Sequence, residues 1–215
     1  MSEKYETIVP SEPDARERLQ WVSWLRSAAP YVHLHHGRTF VISFAGEVVA
    51  DRTLLNHLVM DVSLIASMGM RVVLVHGSRP QIEELMGLRK LEGQFYKGVR
   101  ITGPQELECV KEACGETRFD IEAAFSQGLP NTPMQHSRIK VVSGNFVTAR
   151  PMGIIDGVDY LHTGVVRKVD AESIQDLLSR GNIVLVSPTG FSPTGEAFNL
   201  TTEDVATAIA VAIHA

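Results

Sequence analysis

Two glycine-bearing segments follow short apolar runs in this chain of 215 residues: Ala45-Gly46 after Phe40 to Phe44, and His76-Gly77-Ser78-Arg79-Pro80 after Arg71 to Val75. Where such a loop leaves a buried parallel strand, backbone N–H groups can approach a ligand closely, and an anion is the guest they suit. Arg79 in the second loop and Arg100 in a later glycine-containing stretch add guanidinium groups, which makes the crevice a candidate carboxylate or sulfate site. Neither loop fits G-x-G-x-x-G or G-x-x-x-x-G-K-[ST], so dinucleotide and P-loop readings have no support. The cluster His33, His35 and His36 has no cysteine or carboxylate partner at a ligand spacing, and reads as a polar connector rather than a metal site. Cys109 and Cys114 lie five apart on a predicted helix, off one another's face, and are expected as reduced, buried thiols.

The elements that hold these loops can be read from periodicity. Between the two apolar runs, Leu54, Leu55, Leu58, Val59, Val62 and Ile65 recur at helical spacing, with Gly69 as the C-terminal cap. Strand, helix and strand make a βαβ unit with parallel strands, whose ligands bind beyond the strands' carboxyl ends. Residues 1–14 read as a mobile polar arm, 15–36 as a helix and connector, and 37–215 as the main domain. The first helix is predicted from Ala15 to Ala29, capped by Asp14 and ended by Pro30, with Leu19, Trp21, Val22, Trp24, Leu25 and Ala28 covering more than one face. So apolar a helix is suited to contact either its own domain or another subunit.

Beyond the βαβ unit, Gln81 to Leu91 is predicted as a short helix and Phe95 to Thr102 as a small hairpin or lid beside the crevice. Pro104 opens a helix interrupted near Gly115. Ile139 to Ala149 and Tyr160 to Val169 read as a pair of strands lying over the crevice, joined by a loop from Arg150 to Asp159. Asp170 caps a helix over Ala171 to Ser179 that Gly181 ends, and Ile183 to Val186 is a core strand. Ser187 to Phe198 is expected as a turn, and Thr201 opens a last helix. That apolar helix is not followed by the strand an alternating pattern leads one to expect, which suggests an N-terminal piece of a longer polypeptide.

A hydrophobic content of 44% is enough to bury a sizeable core, and a formal charge of -5 offers no basic field for nucleic acid. No apolar span or signal peptide is present, so neither membrane nor export is expected, and a cytoplasmic protein is.

The order of motifs carries a more specific message. VVLVHGSRPQI resembles the VVVHGGGPQI segment of the amino acid kinase family, F-x-x-G-x-R-I-T resembles its substrate-lid hairpin, and NLTTEDVATAIA resembles its N-I-N-A-D-x-A-A motif. Within that family HGSRPQI, VVSGNFV, DGVDYLHTG and FNLTTEDVA are most similar to the kinase-like half of the bacterial N-acetylglutamate synthases, whose other half is an acetyltransferase. The resemblance covers Ala15 to Ala215 and implies an α/β fold of the acetylglutamate kinase type. That fold is a three-layer sandwich on a mainly parallel sheet, here truncated at its C-terminus.

The resemblance also implies what the whole protein does: it moves an acetyl group from acetyl-CoA to the amino group of glutamate, the first step of arginine biosynthesis, under inhibition by arginine. No cofactor falls within this chain, because acetyl-CoA belongs to the acetyltransferase half. The family assembles through its N-terminal helix, so a homo-oligomer, a hexameric ring, is implied. Its arginine site lies between that helix and the C-terminal part of the kinase-like domain. Tyr31, in AAPYVH, matches the family's tyrosine there, Trp24 is a neighbouring aromatic wall, and part of the site is expected beyond Ala215.

The departures from an active kinase matter as much as the matches. Ser43, in ISFAG, stands where acetylglutamate kinase has a phosphate-clamping lysine. Gly77-Ser78-Arg79 replaces an all-glycine loop, which is expected to crowd a phosphate, and Glu203 replaces an aspartate. Gly46 and His76 remain as in the family, Arg100 matches its substrate-carboxylate arginine and Asn199 its substrate-contacting asparagine; a surface ion pair and a turn residue are the plain alternatives for these last two. Each lost electrostatic donor costs about 3 kcal/mol of barrier, so a degenerate, kinase-dead pocket is expected. Three readings remain: an effector-sensing and assembly domain, a working amino acid kinase in which Arg79 has taken over the clamp, and a free-standing binding module. The first differs from the last by what the gene encodes after Ala215.

Overall fold

The computed structural model describes residues 14–127 and 139–215, so the polar arm at residues 1–13 lies outside the described residues. The chain divides into two compact units, 1–36 and 37–215.

The described part of the first unit is one helix, α1 (Ala15–His35). Asp14 starts it as expected: its Oδ1 accepts from the Glu17 N–H at 2.8 Å, and the Glu17 carboxylate accepts from the Asp14 N–H at 3.1 Å. Pro30 does not end it. A proline removes only its own N–H from the ladder, and on an exposed helix water reaches the carbonyl left without a donor, so the turns after Pro30 continue to His35.

The second unit begins with the predicted βαβ unit, β1 (Thr39–Phe44), α3 (Arg52–Ser67) and β2 (Arg71–His76), with a short extra helix α2 (Gly46–Ala50) in its first loop. Asp51 caps α3 by accepting from the N–H groups of Thr53 and Leu54, and Gly69, at φ +86°, follows its last turn. The remaining elements are α4 (Arg79–Leu88), the hairpin β3 (Gln94–Tyr96) and β4 (Val99–Ile101), α5 (Pro104–Ser126), β5 (Val141–Ser143), β6 (Val147–Pro151), the hairpin β7 (Ile154–Ile155) and β8 (Val158–Asp159), β9 (Gly164–Val169), α6 (Ala171–Ser179), β10 (Ile183–Val186), β11 (Thr189–Phe191), β12 (Ala197–Asn199) and α7 (Thr202–Ile213).

Strands β1, β2, β10 and β5 form one parallel sheet in that order. Alternation along its central strands sorts the core into two layers. Val72 and Leu74 of β2, with Ile183 and Leu185 of β10, pack with Leu55, Val59 and Val62 of α3 and Ile121 and Phe125 of α5. Val73, Val75, Val184 and Val186 face the other way and pack with Ile174 and Leu178 of α6 and Val205, Ile209 and Ile213 of α7. Helices on both faces of a parallel sheet make the three-layer α/β sandwich that the motif order implied.

Four expectations are corrected. Ile139 to Ala149 is two strands, because the chain turns at Gly144 to Phe146: β5 ends the parallel sheet, while β6 joins a second sheet of order β12-β11-β6-β9. β6 and β9 pair antiparallel, but neither lines the crevice. Helix α5 runs through Gly115, where nothing comes near the missing side chain. The stretch read as a turn from Ser187 to Phe198 holds the antiparallel pair β11 and β12, closed at Gly195 with φ +85°. No described helix is long and apolar enough to cross a membrane.

Candidate functional site

The carboxyl ends of β1 and β2 open into a cleft of about 510 Å³. Ser43, Gly46, Gly77, Ser78, Arg79, Arg100, Asn199 and Glu203 all line it, brought together from the end of β1, the start of α2, the loop after β2, the start of α4, the β3–β4 hairpin, β12 and the start of α7. His76 stands behind the wall, fully buried at the end of β2. Trp24 and Tyr31 belong to α1 in the first unit, where 69% and 68% of their surface is exposed.

The two glycine loops owe their glycines to each other. The Gly77 N–H donates to the Phe44 carbonyl at 2.7 Å, and a Cβ on Gly77 would stand 3.0 Å from the Gly46 nitrogen. A Cβ on Gly46 would meet Gln81 Oε1 at 2.5 Å and Pro80 Cδ at 2.8 Å, while the Gln81 amide donates to the Gly46 carbonyl at 2.8 Å. Loop contact alone therefore accounts for both glycines.

Ser78 is also corrected. Sequence reasoning put its side chain into the phosphate position; the structure buries it to 2% exposure and turns its hydroxyl to His76 Nδ1 at 3.1 Å. His76 Nδ1 also lies 3.2 Å from the Gly77 carbonyl, and Nε2 lies 2.8 Å from Ser187 Oγ. In a neutral imidazole this requires Nδ1–H to donate to the carbonyl and Nε2 to accept from the serine hydroxyl. Burial lowers the His76 pKa to about 4, the Arg118 charge adds to the effect and the Gly77 carbonyl opposes it, so at neutral pH the ring is an uncharged bracket between β2 and β10. On the same buried side, Cys114 is pushed up to about 11 by burial and remains a thiol, as expected of a packed cysteine.

What does project into the cleft is cationic and arginine-based. Arg79 is mostly exposed; Arg100 is 9% exposed, and the ion pair expected as its plain alternative is present, with its arginine end buried and its carboxylate end half-exposed. Its guanidinium stands 4.7 Å over the Phe95 ring, which it faces as a cross-strand neighbour, and Nη2 lies 3.2 Å from Glu83 Oε1. Burial pulls the Arg100 pKa down and the Glu83 carboxylate pulls it up. Asn199 is a network residue rather than a turn residue: its Nδ2 donates to Thr102 Oγ1 at 3.0 Å. Thr163 Oγ1 donates to the Arg100 carbonyl at 2.6 Å and accepts from the Thr102 N–H at 3.0 Å. The base of the lid hairpin is thus pinned through buried hydroxyls to Thr163, just before β9, and to β12.

Glu83 and the threonine pair were missed from the sequence. The signal for Glu83 was available, since Arg79 and Glu83 are four apart on a helix; nothing local marked Thr102 and Thr163, which are 61 residues apart. Glu47 and Glu203 add carboxylates to the cleft, and among the described residues no lysine lines it. Among the described residues no group of three or more His, Cys, Asp or Glu is arranged to hold a metal ion.

Comparison with known proteins agrees with this geometry. The sequence pattern of the amino acid kinase family matches residues 38–215. An amino-acid acetyltransferase of Ralstonia nicotianae is 60% identical over 203 residues, which are 94% of this chain and 45% of that protein. One from Ectopseudomonas mendocina is 51% identical over 195 residues, 91% of this chain and 45% of that protein. The crystal structure of N-acetylglutamate synthase from Neisseria gonorrhoeae, complexed with coenzyme A and L-arginine, superposes with a TM-score of 0.84 at 34% identity, covering 91% of this chain and 46% of that one. The chain spans about half the length of these relatives.

Proposed function

The chain belongs to the amino acid kinase family, and on that premise we propose that it acts as the regulatory and assembly part of an N-acetylglutamate synthase, with the kinase chemistry lost. The observation that carries this reading is the make-up of the cleft: among the described residues its lining cations are two arginines held by Glu83, and no lysine lines it. A guanidinium already paired and stacked is a poor substitute for an ammonium that must follow a moving phosphoryl group. The high identity to an amino-acid acetyltransferase supports acetyl transfer from acetyl-CoA to glutamate as the activity of the longer protein.

Arginine is the proposed effector, and the likeness to a synthase structure complexed with L-arginine supports it. Trp24 and Tyr31 supply an aromatic wall for its aliphatic stem. The test is arginine inhibition of acetyl transfer in a protein carrying this chain together with an acetyltransferase half. Tyr31→Ala should raise the half-inhibitory arginine concentration about tenfold, as loss of an aromatic anchor does. An unchanged value would place arginine elsewhere.

Assembly is proposed to run through α1. Leu19, Trp21, Trp24, Leu25, Tyr31 and Leu34 are each more than 60% exposed, an apolar surface large for a helix left in water. The cleft itself is proposed to keep a weak affinity for acids, since Arg79 and Arg100 both line it.

A further inference from the structure

The two cations of the cleft share a single carboxylate oxygen. Arg79 Nε lies 3.0 Å and Arg100 Nη2 3.2 Å from Glu83 Oε1, and the two guanidiniums stand 5.6 and 4.7 Å from the centroid of the Phe95 ring. We propose that Glu83, which does not itself line the cleft but touches both arginines that do, is a built-in competitor that a small acidic molecule entering the cleft must displace from Arg100, so that Glu83 sets the site's affinity. The proposal rests on the reading of the cleft as one that receives acids.

The asymmetry of the cluster says which partner yields. Arg100 is fixed: its backbone carbonyl accepts from Thr163, its Nη1 lies 3.1 Å from Met86 Sδ, and it packs so closely on Gly93 that a Cβ there would stand 2.7 Å from Nη1. Glu83 has a half-exposed side chain, 51% accessible, with water to swing into. It also has somewhere to go. Arg79 sits one helical turn away on the same helix and can keep the carboxylate while Arg100 releases it. An incoming carboxylate then takes the guanidinium edge of Arg100 that Glu83 gives up, and neither arginine is left without an anion. Other charges facing Arg100 are Arg79 on α4 and Glu106 on α5, and neither is hydrogen-bonded to it. The exchange is thus between Glu83 and the ligand, with Phe95 as the apolar floor for the ligand's carbon chain.

Glu83→Gln keeps the side chain's size and removes its charge. Binding of succinate and of sulfate to the 215-residue chain is measured by calorimetry, with chloride at matched ionic strength as control and circular dichroism to establish folding. The expected result is binding about tenfold tighter in Glu83→Gln than in the unaltered chain, as unpaired cations are relieved by the added anion, with the gain abolished by Arg100→Gln in the same background. Thermal unfolding gives a second reading: sulfate should raise the midpoint of Glu83→Gln more than that of the unaltered chain. If the unaltered chain binds and Glu83→Gln binds equally or more weakly, the competitor role is overturned while the acid-receiving cleft stands. If neither binds and no midpoint moves, the cleft takes no acid, and both readings fall together.

Discussion

His76 illustrates how a motif residue can be read correctly in place and wrongly in direction. The sequence reads His76-Gly77-Ser78 as a loop that follows a strand, which suggests side chains facing a ligand; in the fold His76 ends β2, both side chains turn inward, and His76 brackets β2 against β10 through Ser187. The direction was not legible because it depends on Ser187, 111 residues away. The consequence can be measured. In the folded protein burial, helped by the Arg118 charge and opposed by the Gly77 carbonyl, holds His76 at about 4 against a usual 6.5, so between these values the unfolded chain binds more protons. Stability from this residue is complete above pH 6.5 and is lost as pH falls towards 4, by on the order of 3 kcal/mol at most. Urea unfolding at pH 7 and pH 4.5 should show a smaller acid loss in His76→Asn than in the unaltered chain. Equal losses would mean that His76 titrates normally. At the same scale Thr163→Val removes the hydroxyl that joins the lid to the second sheet and leaves the Thr102 N–H and the Arg100 carbonyl without it. Unfolding should become easier by about 1–3 kcal/mol, and no change would mean that other partners satisfy both groups.

Elements were legible where apolar runs and caps agreed. The βαβ unit, the Asp14, Asp51 and Asp170 starts and the glycines at positive φ after α3 and α6 all express preferences of a few neighbouring residues. What escaped was decided at longer range. β5 and β6 read as one strand because their residues are uniformly strand-like, and only the assignment of each to a different sheet separates them. Strands of three residues such as β11 and β12 are too short for periodicity. Loop glycines have the opposite problem: they were visible, but invited a ligand-binding explanation when the contact between the two loops already requires them. Gly46→Ala should therefore destabilise the domain by about 1–3 kcal/mol through overpacking against Gln81 and Pro80, whether or not the cleft binds anything. A chemical unfolding midpoint unchanged by Gly46→Ala would show that the loops can part at no cost.

At the scale of the molecule, the chain has the architecture of the amino acid kinase family, and the proposed function holds that the crevice has lost the charges a kinase needs. Two apolar layers on a parallel sheet specify the sandwich and are indifferent to whether position 43 is serine or lysine, so on the proposed reading the fold can stand without the chemistry. The proposed function then rests on surfaces and on assembly. If α1 joins subunits, light scattering should show a smaller species once residues 1–36 are removed, and an unchanged mass would relieve the helix of that role. The most direct test of the central claim is ATP consumption by the chain in the presence of N-acetylglutamate and magnesium. The account predicts none above background, in the unaltered chain and in Arg79→Ala alike. Turnover that Arg79→Ala abolishes would contradict it, by making Arg79 a working phosphate clamp and this cleft a kinase active site.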